Sequence, residues 1–187
     1  MKSELGSRLS RRHFLGWVSV SAGILAAHRI SGNPSTAFAG VDMQSHRILS
    51  LELLTSAPLA DMKEFYHHSL GLALLDEKPD RLTLAGGKTR LTFVKTEGNS
   101  FYHFAFNIPQ NKLLAAHSWQ KERSPLMPIP GRLRDPAFPD DVVHFSHWNA
   151  HSIFFYDPGG NVVEYIARHT LDNDAPGPFE SKDILYA

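Results

Sequence analysis

The side chains with the clearest capacity for chemistry in this 187-residue sequence are among its eleven histidines and a few carboxylates set in apolar runs. In an extended chain His103 shares one face with Ala105 and Asn107, while Phe104, Phe106 and Ile108 take the other. Glu164 shares a face with Val162 and Ile166, where a carboxylate is expensive to bury unless something pairs with it. Imidazole and carboxylate are side chains that bind zinc, iron, manganese or nickel. His144, His147 and His151 surround Trp148-Asn149-Ala150 at spacings that a helix would gather. The segment reads as extended or looped, however, so these three read as pocket-lining or solvent-facing. His151, which opens a strand, is the strongest of them. His67-His68 closes a helix, where imidazoles suit the carbonyl end of the dipole, and His117 reads as helix surface. The absence of cysteine excludes disulfides, thiolate metal sites and cysteine nucleophiles. There is no Gly-rich phosphate loop, no G-x-S-x-G elbow and no H-E-x-x-H.

The elements that must position these residues follow from periodicity. Residues 48–55 are strongly apolar and end at Ser56-Ala57-Pro58, which predicts a strand. Leu59, Met62, Phe65, Tyr66 and Leu70 have helical spacing, and Gly71 is a suitable stop. Three short strands follow over 72–75, 81–85 and 89–95, with Pro79-Asp80 and Gly86-Gly87 as turns. The order then repeats: a strand over 101–108, a helix over 110–122, and strands over 151–156 and 161–168 joined by Asp157-Pro158-Gly159-Gly160. Residues 125–139 hold five of the twelve prolines and read as a loop with at most one short edge strand. Residues 170–187 read as a polar C-terminal tail.

The first 39 residues differ in kind. Ser10-Arg11-Arg12-His13-Phe14-Leu15 is followed by an apolar stretch to Ala27, shorter than the ~20 residues of a membrane-spanning helix. Ala37-Phe38-Ala39 supplies small residues where a signal peptidase reads them. The paired arginines resemble a twin-arginine export signal, which implies the twin-arginine machinery as a partner and a periplasmic destination. This segment carries five basic residues and one acidic residue. That leaves 14 Lys and Arg against 18 Asp and Glu, about −4, in the rest of the chain. Such a domain has no electrostatic reason to seek nucleic acid or anionic lipid.

The doubled order of elements carries two specific motifs. Phe65-Tyr66 before Leu70-Gly71-Leu72 resembles the FY…LGL signature of the vicinal-oxygen-chelate (VOC) superfamily, the glyoxalase, bleomycin-resistance and extradiol-dioxygenase proteins. Asp157-Pro158-x-Gly160-Asn161-x-Val163-Glu164 resembles its final hairpin, DPxGNxxE. The resemblance spans residues 47–169. It implies an α+β fold in which paired βαβββ modules, about 47–95 and 101–168, form a curved mixed sheet around a small-molecule cavity. With the signal at 1–39, the domain is expected over 40–169.

The resemblance also implies a divalent metal (Fe, Zn, Mn or Ni) on inward-facing side chains of the first and last strand of each module. Those positions hold Ser50 and Thr92 in the first module and His103 and Glu164 in the second. Ser50 and Thr92 are poor ligands, so only two of four positions are filled. Glu52, on the strand face of Ser50, and His151 are candidates for a third ligand or a proton-transfer group. Two functional classes are therefore expected. One is metal-assisted chemistry on a small oxygenated molecule, of lyase, isomerase or dioxygenase type. The other is metal-free sequestration of a small molecule, as in bleomycin-resistance proteins. An accessory module acting through a partner is a third and weaker reading, and the resemblance makes a homodimer plausible.

Overall fold

The structure, a computed structural model, describes residues 48–187. The signal-like segment and His46 lie outside the described residues.

Leu51 and Leu53 alternate with Ser50 and Glu52 to give β1 (Ser50–Thr55), whose apolar face packs on the core. The helix expected over 59–70 is regular only in α1 (Leu59–Lys63) and continues as a π-helical turn over Glu64–Ser69, with the Leu70 N–H on the Phe65 carbonyl. Gly71 ends it at φ +70°, a conformation that suits glycine. β2 (Ala73–Lys78), β3 (Arg81–Gly86) and β4 (Thr89–Lys95) complete the first module in the order β1-β4-β3-β2, with β1 parallel to β4.

The second module repeats the plan. β5 (His103–Ile108) leads through a 3-10 turn at Gln110–Lys112 into α2 (Leu113–Lys121). The strands β6 (Val143–Phe145), β7 (Ala150–Tyr156) and β8 (Val162–Arg168) then give the order β5-β8-β7-β6. Paired βαβββ modules are thus present as two four-stranded mixed sheets. Among the described residues no helix is long and apolar enough to cross a membrane.

One core serves both sheets. Leu82, Leu84, Leu91 and Phe93 of the first meet Phe104, Phe106, Val163 and Tyr165 of the second around Met62, Tyr66 and Leu70. Each such side chain fully buried contributes about 1.5–3 kcal/mol. At the centre the two sequence motifs touch. The Tyr66 hydroxyl donates to Asp157 Oδ2 (3.2 Å), as does that of Tyr102 (2.9 Å), while the Asn161 N–H donates to Oδ1 (2.9 Å). A side chain at Gly159 would press on Asn161 Nδ2 at 2.7 Å, and Gly160 sits at φ +76°, so the Gly-Gly turn is dictated by this knot.

Two segments depart from a plain loop and tail. The proline-rich stretch carries isolated bridges from Leu126 to Phe155 and from Arg134 to Val143, and it delivers β6 beside β7. The C-terminal segment bonds to both modules. Asn107 exchanges backbone hydrogen bonds with Leu185 and Tyr186, Lys88 N–H donates to Leu185, and Ala187 N–H donates to Thr89 Oγ1. Lys112, only 2 % exposed, holds the carbonyls of Pro176, Gly177 and Pro178 and lies 3.8 Å from Asp183.

Candidate functional site

β5 and β8 run side by side in parallel with Ala105 opposite Glu164, and β7 places Phe154 on the other side of Glu164. This register puts His103, Ala105 and Asn107 on one sheet face with Val162, Glu164 and Ile166 and with Ser152 and Phe154. His103 Nε2 lies 2.8 Å from Glu164 Oε2, with 30 % of its side chain exposed against 6 % for Glu164. Glu164 Oε1 is buried and has no hydrogen-bond partner. Two more buried oxygens without partners, Asn107 Oδ1 and Ser152 Oγ, belong to the same face. A carboxylate oxygen left this way costs several kcal/mol unless a cation or donor reaches it.

The first-module positions do not complete a ligand set. Ser50 is exposed, and Thr92 Oγ1 is 3.1 Å from Thr83 Oγ1. Glu52 is 59 % exposed in its side chain and faces Arg81 at 4.0 Å. Among the described residues no third His, Asp or Glu joins His103 and Glu164 within 4.8 Å. The pair itself fits a divalent ion. Ligand bonds of about 2.0–2.2 Å place neighbouring donor atoms roughly 3 Å apart, close to the 2.8 Å observed. His103 and Glu164 would hold such an ion in two neighbouring positions, and the remaining ligands must come from elsewhere.

Neither a protein-family model nor a curated protein matches the sequence. Among solved structures, an integron cassette protein from the mobile metagenome of the Halifax Harbour sewage outfall gives a TM-score of 0.50 at 16 % identity, over 65 % of this chain and 98 % of that one. The likeness is one of fold. A lactoylglutathione lyase from Agrobacterium tumefaciens gives 0.49 at 16 % identity, over 65 % and 92 %. A glyoxalase/bleomycin resistance protein/dioxygenase from Nocardioides gives 0.48 at 18 % identity, over 90 % and 99 %.

His151 does not join the pair. It stands opposite Ala167 in the β7–β8 ladder, whereas Glu164 stands opposite Phe154, so the two side chains take opposite faces. Its own neighbours form a second group. His151 Nε2 is 3.2 Å from Asp135 Oδ2, and its Nδ1 is 2.8 Å from His169 Nε2. His144, its cross-strand partner, stacks on it at 4.6 Å and 10°, and Phe138 covers the ring at 4.0 Å. Burial pushes His151 below the usual histidine range, against the raising pull of the Asp135 hydrogen bond, while His144 and His169 add to the lowering. Asp135 is held below the usual carboxylate range by the Ala137 N–H first and then by His151.

His147 stays exposed and outside this group. His117, expected on the helix surface, is buried and bonds Asp141 at 2.6 Å. His67 Nδ1 donates to the Leu72 carbonyl, 2.7 Å away. A recess lined by Lys121, Leu126, Ile129, Arg134 and Asp141 touches neither group directly.

Proposed function

We propose that this protein binds a small oxygenated molecule on the face of the second sheet that carries His103 and Glu164, assisted by a divalent cation held by that pair. The observation that carries this reading is Glu164: a carboxylate 5 % exposed, one oxygen on His103 and the other without a partner. A cation there supplies Lewis-acid stabilisation of negative charge developing on a ligand's adjacent oxygens, as in an enediolate or catecholate. His103 and Glu164 hold it, Asn107 Oδ1 accepts a hydrogen bond from a ligand hydroxyl, and Ser152 Oγ donates or accepts. Phe154, 5.7 Å from the His103 ring, gives the site an apolar wall. The paired modules and the two sequence motifs support chemistry of the glyoxalase or dioxygenase type. The twin-arginine resemblance supports a ligand met outside the cytoplasm.

A metal-free binder is the second reading, favoured by the exposed Glu52 and the hydroxyls at Ser50 and Thr92. Metal content separates the two, measured on protein purified without chelators or a histidine tag. His103→Ala with Glu164→Gln is expected to remove one ion of iron, zinc, manganese or nickel per chain. Unchanged metal content and unchanged stability in that variant would leave the binding module.

A further inference from the structure

We propose that Asp135, His144 and His151 form a second cation site, of zinc type, on the β6–β7 hairpin and the loop before it. One ligand atom from each lies within 4.8 Å of the other two. The edges of a tetrahedron around zinc run about 3.3 Å for bonds of about 2.0 Å. His151 Nε2 and Asp135 Oδ2 already stand 3.2 Å apart, and His144 Nδ1 is 4.0 Å from the same oxygen. Two imidazoles with one carboxylate suit a borderline ion, since calcium and magnesium take oxygen ligands.

His169 completes the arrangement. A histidine that gives one ring nitrogen to a metal donates the other N–H to an acceptor, and His151 Nδ1 has His169 Nε2 at 2.8 Å for that purpose. Phe138 fixes the His151 ring from its other side. One movement is needed. Parallel rings cannot both point lone pairs at one ion, so His144 must turn about its Cβ–Cγ bond, and a side chain 36 % exposed has the room.

The site stands apart from His103 and Glu164, since His151 and Glu164 occupy opposite faces of the same sheet. Its ion would tie the loop around Asp135 to two strands and, with three protein ligands, would keep an open fourth position for water. It does not rest on the reading of the first site.

The test uses the full chain carrying His103→Ala and Glu164→Gln, so that zinc bound there reports the second site alone. Titration with zinc against a chromogenic chelator is expected to give one ion per chain, and cobalt(II) to give the visible band of a four-coordinate nitrogen and oxygen site. Adding His144→Ala or Asp135→Asn, both substitutions of partly exposed side chains, is expected to weaken zinc binding at least tenfold. His169→Ala is expected to weaken it about 10–100-fold with the stoichiometry kept. Zinc binding absent from the His103→Ala, Glu164→Gln chain, or unmoved by His144→Ala and Asp135→Asn, would overturn the proposal. The reciprocal chain, with His144→Ala and Asp135→Asn alone, reports the first site, so failure of either is seen separately.

Discussion

Asp157 receives two phenols and Asn161, and this one carboxylate couples the first module's helix to the second module's last hairpin. Burial first, and then the charge of Asp157, pushes the Tyr66 and Tyr102 hydroxyls above the ordinary tyrosine range. The unfolded chain therefore gives up these protons before the folded chain does. Their contribution to stability is complete below about pH 10 and is lost as pH rises above it. The urea midpoint is expected to fall above about pH 10. A Tyr66→Phe, Tyr102→Phe variant should start about 1–3 kcal/mol lower at neutral pH and fall less steeply. Equal alkaline slopes would assign the loss to other groups. The motifs around Tyr66 and Asp157 were legible because each also has a local role, in a helix end and in a turn. His103 and Glu164 were legible as a pair only through the family resemblance, since strand alternation gave each residue's own face and not the pairing of β5 with β8. Asp135 and His169 were not, because they meet His151 only through tertiary contacts that no spacing in the chain displays.

Strands with plain alternation, such as β4 and β5, could be read from the sequence to within two residues. β6 could not. It is three residues long, it follows a proline-rich stretch, and its pairing depends on a turn whose signal is one residue. Asn149 adopts φ 47° and ψ 57° between β6 and β7, and its carbonyl accepts the His169 N–H at 2.8 Å. That left-handed conformation is tolerated by asparagine and glycine and is strained for a β-branched residue. Without the hairpin, His144 and His151 look seven residues apart in an irregular segment; with it, they are cross-strand neighbours. Asn149→Gly is expected to leave thermal stability nearly unchanged, while Asn149→Val lowers it by about 1–2 kcal/mol. Equal melting of the two variants would show that the turn does not depend on the left-handed residue. The π-helical turn after α1 was likewise illegible, since apolar spacing over one or two turns does not separate the two helix types.

At the scale of the molecule, the C-terminal segment is bonded across both modules, from Lys112 and Asp183 to Asn107 and Thr89. Its polar, proline-rich composition gave no sign of this, because the contacts are made by backbone carbonyls, one buried lysine and two isolated core side chains, Phe179 and Ile184, rather than by a periodic apolar stripe. These bonds tie residues 176–187 into the folded domain. At the other end of the sequence, the resemblance of Arg11-Arg12 to a twin-arginine signal leads to one prediction. Arg11→Lys with Arg12→Lys keeps the charge and the apolar stretch, so a signal read only for charge and hydrophobicity would still work. A twin-arginine signal needs the guanidinium pair. In a bacterial host with that machinery, the native chain is expected in the periplasm, shortened by cleavage after Ala39. The double variant should remain in the cytoplasm at full length, and cell fractionation with mass determination of both forms reads the outcome. Periplasmic delivery of the double variant at the native level would remove the twin-arginine assignment.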